Sequence, residues 1–194
     1  MRIRRLVVGG LAALVVLAAA GWPVYVHPRT DSASASDPAD AVVALGGNVG
    51  TAYVAQRMFR EGLARHLVVS DPYGQWEPGM YGVCPARELA RELRPNRPQA
   101  ANDGAGVTCF APDPSTTRGE AMEIGRLARE NGWDDVIVLA PTFHITRSRV
   151  IVERCYPGRL RMVDPQLSYP VYWWPWQYLY QTAGFAKVVL RHGC

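Results

Sequence analysis

The feature that most constrains this chain is a run of apolar residues with no polar alternation, "VIVLA" at 136–140, set between two stretches of helical character. A strand with one wet face alternates apolar with polar residues, so an unbroken run predicts a strand covered on both faces. Runs of four or five residues recur along the chain: "AVVAL" at 41–45, "HLVVS" at 66–70, "VTCF" at 107–110 and "LRMV" at 160–163. Between them the sequence predicts helices at 51–61, near 85–93, at 118–130 and at about 143–156. Alternating elements of this kind predict a three-layer α/β fold with a mainly parallel sheet.

The N-terminus is of a different kind. Arg2, Arg4 and Arg5 precede an apolar run from Leu6 to about Val26 that contains no charge. A bilayer core needs about 20 such residues, so 1–26 reads as a membrane anchor, with a cleaved signal segment as the alternative because Ala18 and Ala20 fit a small-x-small cleavage pattern. Either reading holds the arginines inside and exports the rest. Residues 27–40, "HPRTDSASASDPAD", are polar and aperiodic and read as a linker, leaving 41–194 as one domain.

The formal net charge is +4, but setting aside the three leader arginines leaves 18 of the 21 basic residues against 17 acidic ones. The exported part is nearly neutral and carries no basic run, so a nucleic-acid partner is not expected. The four cysteines suit an oxidising compartment. None forms a CxxC pair, so disulfides are expected in place of zinc: Cys84 with Cys109, closing the Pro/Asn/Gly-rich excursion between them, and Cys155 with Cys194, tying down the C-terminus.

In an open parallel sheet, ligands bind beyond the carboxyl ends of the strands. Four segments leave those ends: "GGNVG", "SDPYG", "APDPSTTRGE" and "PTFHITR". Gly46 and Gly47 permit a tight turn and a close backbone approach, and Asn48 stands where a dinucleotide fingerprint would continue with glycine. No Walker lysine follows, so a dinucleotide cofactor is unsupported and the cofactor question stays open.

Thr117 and Glu120, three residues apart, match a capping box ahead of a helix whose apolar face is Ala121, Ile124, Leu127 and Ala128. Capping accounts for that pair but not for the two further hydroxyls of Ser115 and Thr116, at a helix start suited to an anion. His144 and Arg147 share a face at the start of the next helix, directly after a buried strand. Histidine can exchange a proton near neutral pH, and arginine can hold a phosphate or carboxylate in a two-pronged grip. His144 and Glu120 are therefore candidate acid and base, and Arg147 and the Thr117 helix start candidate holders of a small anion. Arg149 is expected to face elsewhere.

Together "AVVALGG", "STTRGEA" and "APTFHITRSR" resemble the YdcF-like family, which includes the SanA and ElyC envelope proteins. The likeness covers about residues 41–163 and lies in the order and spacing of these motifs. It implies a Rossmann-like fold on a single-pass anchor and a role in the cell envelope, with Gly46, Gly47, Thr117, Glu120, His144 and Arg147 at the family's polar positions. Two departures stand out. The family usually carries an arginine soon after its glycine pair, where this chain has Thr51. Its second strand commonly ends in Ser-Gly-Gly, where this chain has Ser70, Asp71 and Pro72, which makes Asp71 a candidate carboxylate or an ordinary turn former. Asp71, Glu120 and His144 lack a recognised ligand spacing, so no metal is assigned.

The remaining unusual segment is "SYPVYWWPWQYLYQTAGFAKVVL" at 168–190. Its first expectation is a C-terminal helix whose aromatics pack on the sheet. The same aromatics also suit a membrane interface, or an apolar wall beside the site.

Overall fold

A computed structural model describes residues 2–72, 83–84, 101–102, 106–190 and 193–194. The helix expected near 85–93 lies outside the described residues. An N-terminal helix α1 (Arg2–Gly21) runs into a π-helical turn, Trp22–Val26. There follow β1 (Ala39–Ala44), α2 (Val49–Arg60), β2 (Ala64–Ser70), a two-residue β3 (Ala101–Asn102), β4 (Val107–Phe110) and α3 (Thr117–Asn131). The chain then forms β5 (Asp135–Leu139), a 3-10 turn (Thr142–His144), α4 (Ile145–Cys155) and β6 (Arg159–Val163). It closes with a second 3-10 turn (Val171–Trp173) and α5 (Trp174–Leu190). The helix expected over 143–156 thus divides into a tight turn and α4.

Five strands form a parallel sheet in the order β4-β2-β1-β5-β6, with β3 added antiparallel at the β4 edge. The unbroken apolar runs are the cause of the layering. In register, Val43 pairs with Val68 and Val138, and Val42 with Leu67 and Ile137. Val43, Val68 and Val138 point to the face covered by α3 and α4 through Ala121, Ile124, Ile145 and Val152. Val42, Leu67 and Ile137 point to the opposite face, where Ala52, Ala55 and Met58 of α2 cover them. Both faces are dry, as the absence of alternation required. The strand order reverses beside β1, since the chain first builds outward to β4 and then returns to lay β5 on β1's other side; the crevice between those strands' carboxyl ends is where such a sheet receives a ligand.

Two disulfides are present, Cys84–Cys109 and Cys155–Cys194, in the pairing the sequence suggested. Residues 27–40 do not hang free as a linker would. Asp31 accepts from the Met162 N–H at 2.8 Å and pairs with Arg149 at 2.7 Å, which is where Arg149 is directed. Asp37 pairs with Arg159, and Arg161, buried at the sheet edge, donates to the Asp37 carbonyl and pairs with Asp135. These polar residues, scattered in sequence, bind the segment to β6 and α4.

The N-terminal helix is long and apolar enough to cross a membrane: residues 8–26 have a mean hydropathy of 1.8. Its end is docked on the domain. The Thr146 hydroxyl donates to the Val24 carbonyl at 2.7 Å, and the Tyr25 hydroxyl lies 2.9 Å from that of Thr182.

Candidate functional site

The loop after β1 turns at Gly47, whose φ of +95° disfavours any side chain. Gly46 is needed for space, since a Cβ there would lie 2.2 Å from the Pro72 ring and 3.2 Å from a Glu120 carboxyl oxygen. Freed of a side chain, the Gly46 N–H donates to Glu120 Oε1 at 2.6 Å. The start of α3 is thereby clasped to the end of β1.

The capping box expected from Thr117 and Glu120 does not form. The N-cap is Thr116, whose hydroxyl accepts from the Gly119 N–H at 3.3 Å, one residue earlier than the spacing suggested. That shift releases both residues from capping. Glu120 turns inward to Gly46, and the Thr117 hydroxyl lies 3.2 Å from His144 Nε2. Asn48 caps α2, accepting from the Gly50 N–H at 2.8 Å. The Ser115 hydroxyl donates to the Pro72 carbonyl at 3.3 Å.

His144 is buried at the end of the 3-10 turn after β5, and Arg147 lies one turn further on. Arg147 Nε donates to Gln181 Oε1 of α5 at 2.8 Å. Its guanidinium crosses α5 at Gly184, where a Cβ would come within 2.9 Å of Arg147 Cδ. The two helix starts, the glycine loop and α5 thus enclose a cleft of about 770 Å³ at the carboxyl edge of the sheet. Gly46, Gly47, Asn48, Ser115, Thr116, Thr117, Glu120, His144 and Arg147 all line it. Asp71 is buried and does not; Pro72 beside it does.

Burial sets the electrostatics. It pushes the Glu120 carboxyl up to about 7, against the opposing effects of the Gly46 N–H, the Ser70 hydroxyl and the Arg147 charge. It pulls His144 down to about 3, assisted by the Arg147 charge and opposed by Gln181. The imidazole is therefore neutral across the physiological range while the carboxyl is near half-protonated. Arg147 is also lowered by burial but stays charged, as arginine does. Three buried polar atoms around this centre, Ser70 Oγ, His144 Nδ1 and Ser148 Oγ, have no hydrogen bond of normal geometry within the chain. Among the described residues no group of His, Cys, Asp and Glu is placed to hold a metal ion.

Sequence reasoning missed Gln177, Gln181 and Gly184. Gln177 and Gln181 are buried against the site side of α5, and the signal was available: two glutamines four residues apart in an otherwise aromatic stretch mark one polar face. The aromatics of 168–190 do not chiefly pack on the sheet as first expected. Tyr172 faces outward at 80% exposure, while Trp173, Trp176 and Tyr180, partly exposed, line the cleft as the apolar wall that was the third use expected of this segment.

No protein-family model matches the chain, and no curated protein matches it.

Proposed function

We infer that the protein is a membrane-anchored, extracytoplasmic α/β protein of Rossmann-like, YdcF-like type, and that its cleft binds a phosphate-bearing or otherwise anionic small molecule of the cell envelope and acts on it by proton transfer. The observation that carries this reading is the meeting of Glu120, His144 and Arg147 with the start of α3 in one cleft. A helix N-terminus and a guanidinium favour an anion. A carboxyl titrating near 7 is suited to exchange a proton at working pH, removing one from an attacking hydroxyl or water, or supplying one to a departing oxygen. His144, neutral, serves as a fixed hydrogen-bonding group in place of the proton carrier that its sequence context suggested. The two disulfides and the apolar α1 support the extracytoplasmic placement.

A second reading, a binding or regulatory module without turnover, is favoured by the same low pKa of His144, which leaves Glu120 as the cleft's proton exchanger near neutral pH. One experiment separates them. Full-length protein in detergent is tested by thermal shift against inorganic pyrophosphate, a sugar nucleotide and a polyprenyl phosphate, each then followed for product by phosphorus NMR. Stabilisation by at least one, lost in Arg147→Ala by about 1.5–3 kcal/mol of binding, supports the anion site. Product formation that Glu120→Gln abolishes supports the enzyme, binding without product supports the module, and no stabilisation by any of them rejects the anion site.

A further inference from the structure

The last helix is inside out for a water-facing element. A surface helix ordinarily buries its apolar stripe and exposes its polar one. In α5 the buried positions include Gln177 and Gln181, while Trp176, Leu179 and Leu190 are 59%, 68% and 79% exposed. Residues 176, 179, 183, 186 and 190 are spaced by three and four along the helix and so form one stripe, made of Trp176, Leu179, Ala183, Ala186 and Leu190, which borders the cleft at Trp176 and Ala183. The preceding turn extends it with Val171 and Tyr172, both at least 80% exposed.

A third face of α5 is held against the end of the apolar N-terminal helix. The Tyr178 hydroxyl donates to the Ala18 carbonyl at 3.2 Å, and its ring lies so close to Gly21 that a Cβ there would stand 2.3 Å from it. Tyr25 meets Tyr178 edge to face at 4.9 Å between ring centres, and Phe185 at 6.3 Å. Tyr178, Thr182 and Phe185 are the face in contact with α1 and the π-helical turn that follows it, and the exposed apolar stripe lies beside that face around the helix. Ala18 is within the span of 8–26, so Tyr178 reaches to a depth that lipid occupies if α1 crosses a bilayer.

We propose that the outer face of α5, with the turn before it, is a second membrane contact that lies in the bilayer interface beside α1, so that the cleft faces the lipid surface. This rests on the reading of α1 as a membrane anchor and not on the anion-binding reading of the cleft. Three features select a bilayer over a second copy of the chain. The stripe is laterally continuous with the helix that crosses the membrane. Its N-terminal end carries Tyr172 and Trp176, residue types that favour the interfacial zone, ahead of the aliphatic Leu179 and Leu190. Its cationic edge residue, Lys187, is exposed at the rim of the cleft, where a long side chain can reach the headgroups.

The test uses the full chain in vesicles of phosphatidylcholine and phosphatidylglycerol, with a nitroxide label attached through Leu179→Cys and, separately, through Glu130→Cys on the far end of α3. Collision rates are measured with oxygen, which concentrates in lipid, and with a water-soluble nickel chelate. The expected result is an oxygen-to-nickel ratio several-fold higher at 179 than at 130. Equal ratios place α5 in water and overturn the proposal. Low rates with both probes at 179 show that protein covers the stripe, which overturns it in favour of a second copy. Should the added thiol disturb the disulfides, quenching of tryptophan emission by doxyl-labelled lipid reads the same face without one. Trp176→Phe then removes a lipid-quenchable part of the emission, and an unchanged quenched fraction rejects the contact.

Discussion

The Thr117 hydroxyl and His144 Nε2 lie 3.2 Å apart, and this hydrogen bond joins the starts of two helices that follow different strands of the sheet. Because the cap of α3 is Thr116, the Thr117 side chain has no local duty and is available to a residue 27 positions away. Removing only the hydroxyl, in Thr117→Val, leaves a buried imidazole nitrogen unpaired and is expected to cost about 1–3 kcal/mol in a denaturant titration. Thr117→Ser keeps the hydroxyl and should stay within about 0.5 kcal/mol of the parent. Equal losses in the two variants would show that the methyl, not the hydrogen bond, is what matters.

The pH dependence of stability follows from two buried groups with opposite signs. Glu120 is raised to about 7 in the folded state, so it contributes stability that is present below its unfolded pKa of about 4.5 and is lost as pH rises through 7. His144 is lowered to about 3, so the folded state holds it neutral, and stability falls as pH drops below its unfolded value of about 6.5. Between about 4.5 and 6.5 the two slopes oppose each other. Single variants should unmask them. Glu120→Gln should lose stability as pH is lowered from 6.5 to 4.5, and His144→Gln should lose it as pH is raised from 5 to 7.5, each by up to about 1.4 kcal/mol per pH unit. Parallel pH profiles for the parent and both variants would contradict the assigned shifts.

The layers were legible in the sequence because they follow from local rules. An unbroken run such as Val136–Leu139 has only one dry solution, and the cysteine pairs followed from which loops needed closing. The strand ends that carry the cleft were legible for the same reason. What escaped was anything decided by contacts distant in sequence. Thr116 and Thr117 are equally able to cap, and the choice between them depends on Glu120 finding Gly46 and Thr117 finding His144. Residues 27–40 read as a linker because their aspartates show no pattern until Arg149, Arg159 and Arg161 are in place. The orientation of α5 was ambiguous because apolar residues occupy two of its three faces, and only the packing of Tyr178 on α1 shows which of them meets protein.

Gly184 marks the place where α5 makes room for Arg147. An added methyl would sit 2.9–3.2 Å from the Arg147 side chain, whose flexible end can move aside. The helix itself gains up to about 1 kcal/mol from the loss of glycine. Displacing the guanidinium from Gln181 loses a charge-assisted hydrogen bond worth about 1.5–3 kcal/mol, so Gly184→Ala should lower stability by a net of about 0.5–2 kcal/mol and weaken anion binding roughly tenfold. A variant that binds pyrophosphate as tightly as the parent would show that Arg147 does not hold the anion from this position.

The Cys155–Cys194 disulfide fixes more than the chain end. Cys155 closes α4 on the side of the cleft, and the Cys194 carbonyl accepts from Arg118 in the first turn of α3 at 2.7 Å. The bond closes a loop of 39 residues that contains β6 and α5, so its loss releases the helix carrying Gln181 and Gly184 as well as the terminus. Replacing both cysteines by serine should cost about 2–4 kcal/mol. For a domain of this size that lowers the melting temperature by roughly 5–15 °C. Hydrogen exchange should rise in α5 before it rises in β1 or β5, because the central strands are held by pairing on both sides and α5 is not. Uniform acceleration across the sheet and α5 together would show instead that the bond stabilises the domain as a single cooperative unit.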